Sequence, residues 1–173
     1  MRGKHYLENI YIKIYGLKKY LIKKGVVIGD DAHIYSNIAT TESYLIKIGN
    51  NVTISNGVSF ITHDNSISKV LLNVSDLFGR IEIGDNCFIG AHSIIMPGVT
   101  LANNTIVAAG SVVTKSVMED GCIIGGNPAV KIGTIKALGL KYKEYAINIS
   151  GLKEDEKRYK ILHAKMLSRK NLE

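Results

Sequence analysis

"IGDNCFIGAHSIIMPGVTLANNTIVAAGSVVTK", residues 83–115, repeats itself every six residues. Large aliphatic residues recur at Ile83, Ile89, Ile95, Leu101, Val107 and Val113. Four residues after each come Cys87, Ser93, Val99, Thr105, Ser111 and Val117, all small or β-branched. Gly84, Gly90, Ala102 and Ala108 directly follow four of the six. A helix asks for apolar residues at i, i+3, i+4 and i+7, and a half-buried strand for simple alternation; neither fits. A period of six with β-branched enrichment predicts very short strands joined by tight corners. One large aliphatic residue per corner points into a common core, and a small neighbour tolerates the sharp turn.

Outward from this stretch the same frame continues as Ile48, Ile54 and Phe60, and earlier as Ile28 and Ile34. The period stops at "FITHDNS", residues 60–66, and "NSISKVLLNVSDLFGR", residues 65–80, interrupts it. A repeat array accepts such an insertion as a loop leaving one corner. Val70, Leu71, Leu72, Leu77 and Phe78 are too apolar for a free solvated loop, so a structured excursion packing on something is expected.

Three segments follow. Residues 1–24 form a basic amphipathic helix with Leu7, Ile10, Tyr11, Ile14, Leu17 and Leu21 on one face. That face either packs on the open end of the repeat stack or rests on an anionic membrane. Residues 25–133 are the repeat domain, with the excursion at 65–80. Residues 134–173 hold two helices, one near Ile135–Tyr145 and one from Glu154 to Ser168, expected to cap the other end.

The 173 residues suffice for one domain with a sizeable core. Charge is uneven: residues 1–24 carry +6, residues 25–133 carry −4 and residues 134–173 carry +5, giving the net +7. Basic ends suggest an anionic partner of open class. They lack the aromatic interleaving of a stacking groove, which argues against nucleic acid. Cys87 and Cys122 make neither a disulfide framework nor a CxxC pair, and lysines interrupt the N-terminal apolar residues. A reduced, cytoplasmic, soluble protein is expected.

The stretch 83–115 resembles the signature of the hexapeptide-repeat acyltransferases, and "GGNPAVKI", 125–132, resembles the segment that ends their β-helix. "IGNNVTISNGVSFITHD" (48–64) and "DLFGRIEIGD" (76–85) resemble the branch that acetylates galactosides, maltose and surface polysaccharides. The resemblance implies a mainly β fold, a left-handed parallel β-helix with an N-terminal helix and a C-terminal helical segment. It also implies an acetyl-CoA-dependent O-acetyltransferase acting on a sugar hydroxyl without a metal. Its sites would lie between subunits of a homotrimer.

A hydroxyl is a weak nucleophile at neutral pH, and a histidine can take its proton as the oxygen attacks the thioester. Of five histidines, His63 occupies the family's position for that base, just before the long loop. His92 reads as a structural or site-wall residue, His33 sits on the first coil, and His5 and His163 lie in the terminal helices. Asp64 either orients the imidazole or forms a turn. The resemblance gives the oxyanion to the backbone at Ala91. It gives CoA contacts to Phe88, in place of the family's tryptophan, and to Ala109, Thr114, Lys115 and Lys131. Val130 and Gly133 stand where relatives carry arginines. Tyr35, Asn37, Glu42 and Ser43 correspond to the acceptor side.

Three other readings share these residues. One is transfer to an amino group or a small non-sugar acceptor. Another is a non-catalytic β-helix module that assembles a complex. The third is the zinc carbonic anhydrase of this fold, which needs two histidines five apart; five residues after His92 stands Pro97.

Overall fold

The computed structural model describes residues 2–168. The chain divides into two compact units, one ending at Ile135 and the other starting at Lys136.

The first unit is a three-sided parallel β-helix. Its first coil has β1 (Val27–Ile28) and β2 (His33–Ile34); its second has β3 (Ile46–Ile48), β4 (Thr53–Ile54) and β5 (Ser59–Phe60). An excursion carries β6 (His63–Asp64) and β7 (Leu77–Phe78). The third coil has β8 (Ile81–Ile83), β9 (Phe88–Ile89) and β10 (Ile94–Ile95); the fourth has β11 (Thr100–Leu101), β12 (Ile106–Val107) and β13 (Val112–Val113). A final antiparallel pair, β14 (Cys122–Gly126) and β15 (Ala129–Thr134), ends the array. Each side of the prism is one parallel ladder: β1-β3-β8-β11, β2-β4-β9-β12-β14 and β5-β10-β13. Register is strict, with Ile48 opposite Ile83 and Ile83 opposite Leu101.

The period of six is the period of this prism. Ile54, Ile89, Ile95 and Val107 are completely buried, and the other large members of the frame from Ile48 to Val113 are nearly so. Only Ile28 and Ile34, on the first coil, are partly covered. Each fully buried side chain of this size contributes about 1.5–3 kcal/mol relative to exposure. The second position of the repeat also points inward. Ser93 and Ser111 both donate to the Ala108 carbonyl, at 3.1 and 2.6 Å, and Thr105 donates to that of Ala102 at 2.8 Å. Small polar residues are thus buried without leaving a donor unpaired.

The small residues after each aliphatic position have a different cause from the one expected. Gly84 and Gly90 keep ordinary backbone angles; the left-handed residues of the corners include Asp31, Asn51, Asn86, Asn104 and His92, along with Gly57, Gly98 and Gly110. A Cβ on Gly90 would come within 2.5 Å of the Ala109 nitrogen on the next coil. Close stacking of coils, not turn conformation, excludes a side chain there. Asparagine suits the left-handed corners, and its amide adds a ladder between coils, with Asn51 donating to Asn86 at 2.8 Å.

The N-terminal segment is two helices rather than one: α1 (Arg2–Tyr15) and α2 (Leu17–Lys23), broken at Gly16 with φ 85°. The second is the anchor. Leu21 and Tyr20 are buried against the first coil, with Leu17, Tyr11 and Ile12 packed partly over them. Leu7, Ile10 and Ile14 of the expected packing face stay exposed.

In the second unit α3 (Ile135–Tyr142) runs from the boundary, and α4 (Glu154–Leu162) follows. Three acids open α4, where they favour its positive end, and Glu156 accepts from the Lys153 N–H at 3.1 Å. It stops at Leu162, short of Ser168, where the His163 ring bonds the Tyr159 carbonyl at 2.8 Å. Among the described residues no helix is long and apolar enough to cross a membrane.

Candidate active site

The excursion begins where β5 reaches its corner. Gly79 closes it: its N–H donates to the Thr62 carbonyl at 3.0 Å, and an added Cβ would strike Gly98 N at 2.2 Å. Between these points His63 pairs with Phe78 and Asp64 with Leu77, so the excursion is a narrow antiparallel ribbon. The Phe78 ring stands 6.0 Å from the imidazole, centre to centre. The tip carries a short 3-10 helix, Asn65–Lys69. The loop is structured as expected, but Val70, Leu71, Leu72, Leu77 and Phe78 are exposed in the single chain.

Asp64 resolves as a turn former. Its Oδ1 accepts from the Ser66 N–H at 2.8 Å and caps the short helix. That bond holds the carboxyl below its usual range.

The carboxylate facing His63 is Glu42, with Oε2 2.8 Å from Nδ1. A carboxylate only accepts, so Nδ1 is the donor, and in the neutral ring Nε2 then keeps its lone pair. Thr62 Oγ1 is 2.9 Å from the same oxygen and 2.9 Å from Thr40 Oγ1; its one proton can serve only one of them. Burial alone would raise the Glu42 carboxyl. Hydrogen bonds from His63, Thr62 and Thr41 outweigh that and hold it below the ordinary range. The site therefore keeps an anion beside the imidazole, poised to balance a positive charge there.

Two grooves are lined by neighbours of this pair. One, of about 410 Å³, is lined by Asp64, Leu77, Phe78, Gly79, Met96, Pro97, Gly98 and Thr114. The other, of about 420 Å³, lies between the first-coil connection (Asn37, Ala39, Thr40, Thr41) and the helices (Glu8, Tyr20, Lys24). Thr40 lines the second groove while bonding Thr62, which links it to the Glu42–His63 pair.

The remaining site candidates separate. Asn37 lines the second groove, its Oδ1 accepting from the Ala39 N–H at 3.1 Å. Ser43 does not face an acceptor: it is 1 % exposed, donates to the Thr40 carbonyl at 2.8 Å and accepts the Thr40 N–H at 3.0 Å. That position serves the backbone of the first-coil connection. Tyr35 follows β2, while Phe88 and Ala91 belong to β9 and the corner after it. Ala91 and Ala109 stack at one corner, with Gly110 N–H donating to the Ala91 carbonyl at 2.8 Å. His63 and Thr114 are at the opposite end of the β5-β10-β13 side. Pro97 is six positions on from Ala91, a span of up to about 20 Å. One chain does not bring Ala91 to His63.

Lys115 and Lys131 line a third groove of about 370 Å³ with Glu119 and Cys122. Lys131 donates to both Glu119 oxygens, at 2.6 and 2.7 Å. The hydrogen bond raises the lysine and lowers the carboxyl. His92 has φ 60°, and its ring lies against Gly57 at the corner. His33 is exposed on the first coil; the His5 side chain lies outside the described residues. Among the described residues no three His, Cys, Asp or Glu side chains are grouped to hold a metal ion.

Sequence reading missed Glu42, Thr62 and Thr40 as one network with His63. Register holds the signal: Ile28 pairs with Ile48 and Ile34 with Ile54, twenty residues on. The same step from Glu42 lands on Thr62.

A family model described as "Hexapeptide repeat of succinyl-transferase" matches residues 80–115. Protein CapG of Staphylococcus aureus is 47 % identical over 146 residues, covering 82 % of this chain and 84 % of CapG. The galactoside O-acetyltransferase of Escherichia coli (strain K12) is 30 % identical over 126 residues, 71 % of this chain and 62 % of that protein. Among solved structures, a hexapeptide-repeat acetyltransferase of Vibrio cholerae complexed with acetyl coenzyme A superposes with a TM-score of 0.58. It is 31 % identical and covers 65 % of this chain and 61 % of that one. The chain thus spans about six-tenths of the length of the last two. The 47 % identity over most of CapG, with the hexapeptide-repeat match and the fold shared with the Vibrio cholerae acetyltransferase, places the chain in the hexapeptide-repeat, left-handed β-helix acyltransferase family.

Proposed function

We propose that the protein transfers an acetyl group from acetyl-CoA to a sugar hydroxyl, with His63 as general base. The carrying observation is the 2.8 Å Glu42–His63 contact, which makes Nδ1 the donor and leaves Nε2 as the base of the neutral ring, on a side chain that is 42 % exposed. The named sugar acceptor of the galactoside enzyme and the acetyl-CoA of the Vibrio cholerae complex support donor and acceptor classes. Two buried free cysteines fit a cytoplasmic setting, where thiols stay reduced.

In this reading the acceptor hydroxyl gives its proton to Nε2 as its oxygen attacks the thioester carbonyl. Glu42 balances the imidazolium that forms. The oxyanion is met by the Ala91 backbone N–H of a second copy, because one chain holds Ala91 and His63 at opposite ends of a side. Collapse of the intermediate expels the CoA thiolate, which the imidazolium reprotonates. A homotrimer would set each His63 against a neighbour's Phe88–Ala91–Ala109 corner. It would also cover the exposed Leu72 and Phe78.

The test is thiol release from acetyl-CoA across a panel of saccharides, with wild type and His63→Ala. Turnover by wild type with at least one sugar, lost in the variant, supports the reading. Near wild-type turnover by His63→Ala would sink the mechanistic assignment. Acetylation confined to amines would sink the acceptor class.

A further inference from the structure

The first helix leaves a face uncovered that the fold does not use. Successive helical residues turn by 100°, so Tyr6, Leu7, Ile10 and Ile14 share an arc of about 100° on α1. All four are exposed, Tyr6 and Leu7 each by two-thirds. Ile12 on the opposite side, and Tyr11 at the Leu7 edge of the arc, pack toward the anchor formed by Leu17, Tyr20 and Leu21. A face this apolar, held outward by a helix pinned from behind, needs cover of its own.

The surrounding charge indicates the cover. Residues 1–24 carry seven basic side chains against one acid. That acid, Glu8, faces inward on Lys24, which donates to it at 2.6 Å. Lys13 borders the apolar arc, and Lys19 and Lys23 are exposed on α2 beside exposed Ile22. An apolar strip edged by unbalanced lysines, with Tyr6 at one end, is the pattern of a helix lying in a bilayer interface. Fourteen residues make a helix of about 21 Å, against about 30 Å of hydrocarbon, so α1 would lie along the surface and not cross it. A helix-to-helix contact with a second copy would instead set the same positive charge against itself.

We propose that α1 docks the protein on an anionic lipid surface, burying Tyr6, Leu7, Ile10 and Ile14 between acyl chains while Lys13, Lys19 and Lys23 meet the headgroups. The polar groove of Asn37, Thr40 and Thr41 opens between these helices and the first coil, so docking would set that groove beside the bilayer.

The test is flotation of the full chain with phosphatidylcholine vesicles holding 30 % phosphatidylglycerol (an assay composition), and with phosphatidylcholine alone. Binding to the anionic vesicles only, weakening as salt rises, is expected. Ile10→Glu with Ile14→Glu should weaken it at least tenfold, to about the level of no binding. Lys13→Gln with Lys19→Gln should weaken it about thirtyfold, near 1 kcal/mol per charge. Sedimentation and thermal melting should match wild type for both variants. Absence of flotation by wild type, or undiminished flotation of the Ile10/Ile14 variant, would overturn the proposal. So would a fall in oligomeric mass in that variant, which would make the face an interface between copies.

Discussion

Glu42 and His63 are 21 residues apart in sequence and 2.8 Å apart in space. The β-helix makes them neighbours by stacking one coil on the next, and the Thr62 hydroxyl braces the carboxylate from the side. Glu42→Gln keeps the shape and removes the charge. We expect kcat to fall roughly 10–100-fold with little change in the KM for acetyl-CoA. Without its counter-charge the imidazolium that forms during transfer is less stable. The carboxyl of Glu42 is depressed, so its support is present above the ordinary carboxylate range and is lost only as pH falls through its lowered value. A pH–rate profile of the two proteins checks this; superimposable profiles would remove Glu42 from the mechanism.

His63→Ala should lower kcat by about 10²–10⁴ while leaving acetyl-CoA binding intact. His92→Ala should be much milder, because that ring covers Gly57 at a corner. Isothermal titration with CoA beside turnover separates loss of chemistry from loss of binding.

Lys131 and Glu119 make a competing pair at the groove expected to meet CoA phosphates. If Lys131 meets a phosphate, Glu119→Gln should lower the KM for acetyl-CoA and Lys131→Ala should raise it, each severalfold. Both effects should shrink at high salt, since the pair is exposed. Unchanged KM values in both variants would assign CoA recognition elsewhere.

Gly79→Ala places a methyl against the Gly98 and Pro97 backbone. The excursion can then no longer close on Thr62, so activity should fall with His63 misplaced, while the coil stack survives. By contrast, Ile95→Ala empties a completely buried site and should cost about 2–5 kcal/mol of stability. Denaturant melts and turnover, measured together, tell the two apart.

Cys87 and Cys122 are each 2 % exposed, and burial pushes both thiols up. Neither should react with a thiol reagent in the native protein, and labelling should track unfolding. Fast labelling in buffer would contradict the packing of the coils.

The repeat was legible in the sequence because a prism with six residues per side puts every sixth side chain into its axis. Ile83 through Val113 therefore state the short strands, the corners and the common core, while the left-handed β-helix itself came from the family resemblance. The same local logic exposed the excursion, since a broken period is visible wherever it occurs. His63 was legible as a candidate only through its resemblance to a family position; no spacing marks it. The expected single N-terminal helix failed at Gly16, whose φ of 85° turns the chain and leaves Leu7, Ile10 and Ile14 outside.

Tertiary structure decided what the period could not carry. Glu42 and Ser43 are adjacent polar residues that read alike along the chain. Stacking sends one carboxylate to His63 and buries the other side chain in bonds to Thr40. Asp64, beside the histidine in sequence, spends its oxygen on Ser66. Along one chain, adjacency fixes which strand a residue joins. Which groups meet depends on the step between coils, because side chains one turn apart lie about 5 Å from each other while neighbours in sequence point away.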